Sequence, residues 1–314
     1  MKKISCVIPN FNGAKTIIKC IDHLMLAGLK PNDVYEILVI DDGSTDDSLD
    51  KIRAKYPSVK IIKNEENKGA AYSRNKGIKS TTGEYILFVD NDIFVENDFV
   101  KNISMHASKY DLIYPKIVFE DGKLMMPKSE KDKTRLKISP IFLIKRNSLN
   151  KLDDLFDEKY TIYDEDTDFF LRCFYFDFKQ KYLEHLTVIH KVKDKGTSSR
   201  RYYLECRNKI YFLIKLSIIP KKVRLDFESP SINSIFILFL IGILNKDIFE
   251  SKLVNSPREF IRLLSETKRR IAKNRFELIY LFIKALLWNL FNIRDTIRKR
   301  RKLKKFIYLA KKRN

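Results

Sequence analysis

Four short apolar segments in the first half of the chain each end in a cluster of polar, turn-forming residues. The segments are residues 4–8, 36–40, 59–62 and 84–89, and their length and composition are typical of buried strands. Helical periodicity follows the first three, so the alternation predicts an α/β fold with a mostly parallel, twisted sheet flanked by helices. Parallel strands bring their carboxyl ends to one edge of a sheet, where open α/β sheets bind ligands. Four polar clusters at that edge therefore predict a nucleotide pocket.

The last of these clusters is acidic. Asp90, Asn91 and Asp92 directly follow the apolar segment 84–89. Two carboxylates two residues apart on an extended backbone can direct their oxygens at one hard cation, which also binds water and diphosphate oxygens. The alternative is an acidic turn after a strand, and only the other motifs can separate the two interpretations.

Charge is distributed unevenly along the chain. The formal net charge is +22, yet from Arg201 onward there are 28 Lys and Arg against 9 Asp and Glu, whereas the first 200 residues carry only +3. A hydrophobic fraction of 44% excludes a disordered chain. A near-neutral body with a strongly basic tail predicts that the tail contacts something anionic.

A second acidic cluster lies further along. Asp164, Glu165, Asp166 and Asp168 fall within five residues, and such charges repel one another unless they meet a cation, a helix N-terminus or a substrate proton. The alternative is an acidic first helical turn. A short predicted strand, residues 186–189, ends at His190, where a lone histidine is more often structural than a ligand. The four cysteines are scattered and indicate neither a zinc site nor a disulfide framework.

Taken in order, these motifs resemble glycosyltransferase family 2, whose catalytic domain has the nucleotide-diphospho-sugar transferase fold, a Rossmann-like fold of the GT-A type. The likeness covers residues 3–212. It rests on this series: residues 7–12, 39–44, Asn67-Lys68-Gly69, Arg74-Asn75-Lys76-Gly77, Gly83-Glu84-Tyr85, Asp90-Asn91-Asp92, residues 165–168 with Arg172, His190, and Arg207-Asn208.

The resemblance implies roles for the donor-binding residues. Phe11 would stack on the nucleotide base and Asp42 would hydrogen-bond to it. Arg74 would lie near the ribose or the diphosphate. Pro9, Asp90 and Glu165 would also bind substrate.

The resemblance also implies a metal site and a general base. Asp90 and Asp92 would bind Mn²⁺ or Mg²⁺ bridging the diphosphate, with His190 as a third ligand, and Asp166 would be the general base. The chain departs from the family pattern at Asp177 and Leu155, where relatives usually have glycine, so the loop on the acceptor side is expected to differ.

The chemistry agrees with these roles. Departure of a nucleoside diphosphate builds negative charge that a divalent metal stabilises, and a carboxylate that takes the acceptor proton contributes about 10²–10⁴-fold. No second carboxylate is placed as a nucleophile for a double displacement. We therefore expect single displacement with inversion at the anomeric carbon.

The C-terminal third is expected to be separate from the catalytic domain, with residues 1–220 forming the domain and residues 221–314 a helical, basic extension. Residues 235–244 are apolar but shorter than the ~20 residues that span a bilayer. Residues 276–293 are interrupted by four polar residues on one arc, which is typical of a helix lying in a membrane interface. Basic residues after 293 would be attracted to an anionic leaflet. A soluble helical cap and a true membrane span are the alternatives.

The sequence thus predicts an inverting, metal-dependent glycosyltransferase at the cytoplasmic face of the cell membrane. Its partners would be a nucleoside-diphosphate sugar donor, a glycan or lipid-linked glycan acceptor and an anionic membrane surface, with no nucleic acid. The alternatives are a nucleic-acid-associated basic protein and a sugar-nucleotide pyrophosphorylase. A pyrophosphorylase should have a Gly-rich loop after the first strand, and residues 9–12 are not one.

Overall fold

The computed structural model of the chain describes residues 3–31, 35–126, 140–191, 198–216 and 275–313. It divides into two compact units, Met1–Lys133 with Lys137–Lys193, and Thr134–Leu136 with Asp194–Asn314. The boundary at residue 220 that the sequence predicts lies outside the described residues. The compact units divide between Lys193 and Asp194, and the helix Ser199–Leu216 packs against the C-terminal helices of the second unit.

Within the described residues the first unit contains nine strands and five α-helices. The strands are β1 (Ile4–Asn10), β2 (Tyr35–Asp41), β3 (Lys60–Lys63), β4 (Tyr85–Val89), β5 (Ile93–Val95), β6 (Leu112–Phe119), β7 (Leu124–Met126), β8 (Ile141–Lys145) and β9 (Gln180–His190). The helices are α1 (Ile17–Leu26), α2 (Ser48–Lys55), α3 (Ala70–Lys79), α4 (Phe99–His106) and α5 (Glu165–Tyr175), with 3₁₀ turns at Arg146–Lys151 and Glu158–Tyr160. The second unit contains α6 (Ser199–Leu216), α7 (Arg275–Phe291) and α8 (Ile293–Arg313).

The strands form one sheet in the order β3-β2-β1-β4-β8-β6-β9-β5, with β7 paired to β6. The first four are parallel, as the strand–helix alternation predicts, so β1, β2 and β4 end at one edge. The later pairings are mixed, because β8 is antiparallel to both β4 and β6 while β6 and β9 are parallel. The α/β fold class is confirmed, and its second half is less parallel than expected because apolar periodicity does not encode strand direction.

Burial explains why these segments are strands. The central strands β1 and β4 are buried on both faces, so they read as continuous apolar runs and not as alternating ones. Helix α1 lays Ile17, Cys20, Ile21 and Leu24 on the sheet, which are the positions that share one helical face. All four cysteines are buried and free, as expected from their scatter.

Two local features bring distant residues to the site. Strand β5 runs antiparallel to β9 and pairs Ile93 with His190, so His190 lies beside the residue that precedes Ile93, which is Asp92. After α5, Asp177 takes a left-handed backbone with φ of 52°. Aspartate tolerates this conformation, which explains how the chain makes the turn without the usual glycine.

No helix among the described residues is long and apolar enough to cross a membrane. The apolar run at residues 235–244 lies outside the described residues.

Gly69 offers a test of how α3 is positioned. Its φ is 93°, and a Cβ at this position would come within 1.8 Å of the Thr161 carbonyl oxygen. Gly28 has a similar φ of 94° but open space around it. We expect Gly28→Ala to lower the free energy of unfolding by about 1 kcal/mol through backbone strain alone. Gly69→Ala should cost at least about 1 kcal/mol more, because strain and a backbone clash combine. Urea unfolding of both variants measures this, and equal losses would show that the contact with Thr161 is not a constraint.

Candidate active site

Polar side chains after β1, β2 and β4 form one hydrogen-bonded network. Asn10 is almost fully buried, and its Nδ2 donates to Asp41 Oδ1 at 3.0 Å and to Ser48 Oγ at 3.1 Å. Its Oδ1 accepts from Asn91 Nδ2 at 2.8 Å. Asn10 therefore ties together the loops that follow three strands. The sequence motifs predict no separate role for Asn10, although an asparagine directly at a strand end is a usable signal.

Asp42 organises the loop before α3. Its Oδ1 accepts from Asn64 Nδ2 at 2.9 Å and from the Lys68 N–H at 3.0 Å, and its Oδ2 accepts from the Gly69 N–H at 2.7 Å. A carboxylate has about four acceptor positions, so one remains for a ligand such as a nucleotide base. The predicted hydrogen bond between Asp42 and a nucleotide base is thus chemically possible. Asn64 is a partner of Asp42 that the sequence did not reveal.

Phe11, expected to stack on the base, and Pro9, expected to bind substrate, lie at the end of β1. Phe11 follows β1 directly and its side chain is 45% exposed, so the ring is accessible for stacking. Pro9 lies within β1, paired with Ile40 of β2, and is partly exposed. Both therefore lie at the strand-end edge as the sequence predicts.

Arg74 bridges the two acidic clusters. Its side chain is 4% exposed; Nη2 donates to Asp90 Oδ1 and Nη1 donates to Glu165 Oε1, both at 2.8 Å. The ring of Phe156 lies 5.5 Å from the guanidinium carbon, and the neighbouring Asn75 exchanges two hydrogen bonds with the Phe156 backbone. Arg74 thus lies beneath the carboxylates as a cross-link between them, and its contact with ribose or diphosphate stays a prediction.

The electrostatics of this cluster leave an excess of negative charge. Burial lowers the pKa of Arg74, but Asp90, Glu165 and Asp166 reverse this, so the pKa is raised and the guanidinium stays charged. Burial raises the pKa of Asp90; Arg74 opposes this, and the charge of Asp92 adds to it. One guanidinium therefore faces several carboxylates, and its charge does not offset the effect of burial on the pKa of Asp90.

Asp92 and His190 form a pair at the mouth of this cluster. His190 Nε2 lies 3.3 Å from Asp92 Oδ1, while Nδ1 lies 3.2 Å from Met125 Sδ. Burial lowers the pKa of His190, but the Asp92 carboxylate more than compensates, so the pKa lies above its ordinary value. An imidazole held by a carboxylate in this way can exchange its proton for a metal ion.

The side chains of Asp90, Asp92 and His190 suit a divalent cation that takes its remaining ligands from the bound substrate. Among the described residues no three His, Cys, Asp or Glu side chains converge as a complete metal cluster. Asp92 and His190 are adjacent, whereas the Oδ1 of Asp90 is engaged by Arg74. Mg²⁺ and related ions are commonly held by one or two protein side chains together with water and phosphate oxygens. Mn²⁺ also accepts the mixed oxygen and nitrogen donors present here.

The three acidic residues in the first turn of α5 have different surroundings. Asp168 is fully buried and pairs with Arg172, whose Nε lies 2.7 Å from Asp168 Oδ2, so this pair is structural. Glu165 is held by Arg74, and its Oε2 is buried without a hydrogen-bond partner among the described residues. Asp166 is half-buried and accepts from the Thr167 N–H at 2.7 Å. Of the three, Asp166 is the one that is partly exposed and that forms no buried ion pair with the described residues.

The pKa of Asp166 agrees with a proton-transfer role. Burial and the neighbouring Glu165 charge raise it to about 8, against the opposing effects of Arg74 and the Thr167 N–H. A carboxyl group with this pKa can take up a proton near neutral pH.

Comparison with known proteins points to the same family that the sequence motifs resemble. Residues 5–176 match the family model described as Glycosyl transferase family 2. The poly(ribitol-phosphate) beta-glucosyltransferase of Bacillus spizizenii is 42% identical over 100 residues, 31% of this chain and 16% of that protein. The poly(ribitol-phosphate) beta-N-acetylglucosaminyltransferase TarP of Staphylococcus aureus is 26% identical over 256 residues, 70% of this chain and 75% of that protein. The match thus spans only a small part of the first relative's length.

Solved structures match over nearly the whole chain. Staphylococcus aureus TarS aligns with a TM-score of 0.54 at 18% identity, covering 99% of this chain and 92% of that chain. The mannosyltransferase PcManGT from Pyrobaculum calidifontis, in complex with GDP-Man and Mn²⁺, aligns with a TM-score of 0.57 at 14% identity, covering 98% and 86%. At these identities the likeness shows the fold alone.

The raised pKa of Asp166 predicts a stability effect with a defined sign. The unfolded side chain titrates near 4 and the folded one near 8. The folded protein therefore binds the extra proton between these values, and its stability falls as pH rises through them. Metal-free Asp166→Asn should melt at the same temperature as the wild type below pH 4 and about 10 °C or more higher above pH 8. Asp98→Asn, an exposed aspartate, is the control; a pH-independent difference at position 166 would contradict the raised pKa.

Proposed function

The chain belongs to glycosyl transferase family 2, and from that premise we propose that it moves a sugar from a nucleoside-diphosphate sugar to a hydroxyl group of a glycan acceptor. We propose that the transfer inverts the anomeric carbon and depends on Mn²⁺ or Mg²⁺. The observation that carries this is the cluster at the strand ends, in which Asp90, Glu165 and Asp166 surround the guanidinium of Arg74 and Asp92 adds its charge beside Asp90. A diphosphate would be repelled by such a cluster unless a cation lay between them.

The donor is held by residues at the strand-end edge. Phe11 stacks on the base, and Asp42 hydrogen-bonds to it through the acceptor position that its loop contacts leave open. Asp92 and His190, with Asp90, would hold the divalent cation. When bound, that cation would neutralise the charge that develops on the leaving nucleoside diphosphate.

Asp166 acts on the acceptor. The bond between the anomeric carbon and the diphosphate oxygen breaks, the acceptor oxygen bonds to the opposite face of that carbon, and the hydroxyl proton passes to Asp166. A raised pKa suits this step, because the ionised carboxylate is then a stronger base than an ordinary aspartate. Glu165 and Arg74 hold the start of α5 so that Asp166 stays in position.

The acceptor class is proposed from the relatives. Two of them are named for poly(ribitol-phosphate) acceptors and one, from Methanococcus voltae, for a dolichyl-linked sugar. We propose a polymeric or lipid-linked glycan acceptor. The neighbouring structures hold UDP-GlcNAc in one case and GDP-Man in another, so either base is a candidate. The family match favours sugar transfer over the pyrophosphorylase alternative.

Removal of Asp92 tests the metal site. With Mn²⁺ present, UDP or GDP at 100 times its dissociation constant should stabilise the wild type by about 2.7 kcal/mol. Asp92→Ala should lose this metal-dependent stabilisation while its melting temperature without ligand stays near that of the wild type. Asp98→Ala, an exposed aspartate six residues away, is the control. If Asp92→Ala kept the same metal dependence, Asp92 would not be a ligand.

Substitution of Asp166 tests the general base separately from donor binding. Asp166→Asn should keep near-native donor affinity, because this residue acts on the acceptor, and should lose at least about 10²-fold in kcat. Donor titration by melting temperature and steady-state transfer assays give the two quantities. Loss of donor binding with unchanged kcat at saturating donor would instead make Asp166 part of the donor site.

A further inference from the structure

The second unit contains a nearly continuous pair of helices. The Asn292 N–H donates to the Trp288 carbonyl at 3.1 Å, and the Thr296 N–H donates to the Asn292 carbonyl at 3.0 Å. These are the i to i−4 hydrogen bonds of an α-helix. Helical positions can therefore be followed from α7 across Asn292 into α8.

One face of this helix pair packs against protein. Ala285, Asn289, Thr296 and Leu303 are each at most 3% exposed. At 100° per residue they lie within an arc of about 40°. Asn289 Nδ2 donates to the Arg207 carbonyl of α6 at 3.0 Å. Asn289, which the sequence places on the polar arc of residues 276–293, is thus buried.

The opposite face of α7 is apolar and exposed. We call Tyr280, Ile283, Leu287, Leu290 and Phe291 the apolar stripe; their exposed fractions run from 47% to 86%. They lie within an arc of about 100° on the side away from the buried residues. A helix that packs on a protein in water normally shows the reverse pattern, with its apolar face inward. A contiguous exposed apolar face marks an interaction surface.

The same face continues into α8 as a row of cations. We call Arg294, Arg298, Arg301, Lys302 and Lys305 the basic stripe; all are exposed. Their arc of about 100° overlaps that of the apolar stripe over about 80°. The exposed side of the helix pair is therefore apolar along α7 and positively charged along α8.

We propose that the apolar stripe and the basic stripe together dock on an anionic lipid bilayer. The apolar side chains enter the boundary between headgroups and acyl chains, and the basic side chains lie along the lipid phosphates. A nucleic acid would satisfy the cations but leave the apolar stripe in water. A second copy of the chain would cover the apolar stripe but bring two basic stripes together. This surface is separate from the proposed transferase site and goes beyond the function proposed above.

Sedimentation of the full-length protein with vesicles tests the apolar stripe. The probes are phosphatidylcholine vesicles with and without added phosphatidylglycerol. Leu290→Ser with Phe291→Ser should weaken binding to the anionic vesicles by about tenfold or more. The control is Leu26→Ser with Met105→Ser, two similarly exposed apolar residues of the first unit, which should bind as the wild type does. Equal binding by the two double variants would overturn the proposal.

The basic stripe is tested in the same assay. Arg301→Gln, Lys302→Gln and Lys305→Gln combined should weaken binding to anionic vesicles by about a hundredfold at low salt, because each cation near the surface contributes about a factor of five. High salt should reduce this difference. Lys15→Gln, Lys19→Gln and Lys79→Gln combined remove three exposed charges of the first unit and should have little effect. Wild-type binding that is equal with and without phosphatidylglycerol would also overturn the proposal.

A site-specific probe distinguishes insertion from surface adsorption. The native cysteines are buried, so an environment-sensitive thiol dye on Phe291→Cys reports on the apolar stripe alone. Its emission should shift to shorter wavelength with anionic vesicles, whereas the same dye on Met105→Cys should not shift. If the dye on Phe291→Cys shifted instead with added DNA, or with rising protein concentration in the absence of lipid, a nucleic acid or a second copy would be the occupant.

Discussion

The two hydrogen-bonded ion pairs of Arg74, to Asp90 and to Glu165, are the interaction on which the site depends. They join the end of β4 to the start of α5, which are far apart in the chain. Removing one partner of such a buried pair leaves an uncompensated charge and costs several kcal/mol. The same guanidinium faces the carboxylates of Asp90, Glu165 and Asp166, and burial keeps the pKa of Asp90 raised in spite of it. The cluster is thus rigidly held and still electrostatically incomplete, which is the condition for binding a cation together with an anionic substrate.

Much of this arrangement could be predicted from the sequence, because parallel strands bring their polar termini to one edge. Phe11, Asp42 and Asp92 lie at that edge as expected. The partners of Asn10 and Asp168 could not be predicted, since Asn10 joins the loops after three strands and Asp168 forms a buried pair with Arg172. Acidic clusters look alike in a sequence, and only packing separates a structural aspartate from an accessible one.

The second unit shows a different limit of sequence reasoning. Its charge predicts contact with an anionic partner, and the apolar periodicity of α7 predicts an amphipathic helix. Periodicity does not show which face of α7 packs against the other helices. In the structure the packed face includes Asn289. Its pairing with α6 also explains why the compact units divide before residue 220. The orientation of α7 and the burial of Asn289 follow from contacts with α6 that no local pattern encodes.

In the proposed mechanism, Asp92 and His190 hold a divalent cation together with the diphosphate of the donor. Electron spin-echo spectroscopy of Mn²⁺ bound with a nucleoside diphosphate can test this assignment, because the couplings identify the ligand atoms. We predict nitrogen modulation from one imidazole, lost in His190→Ala, together with phosphorus coupling from the diphosphate. Bound Mn²⁺ that shows phosphorus coupling but no nitrogen modulation in the wild type would contradict the assignment of His190. Absence of both couplings would contradict the metal site.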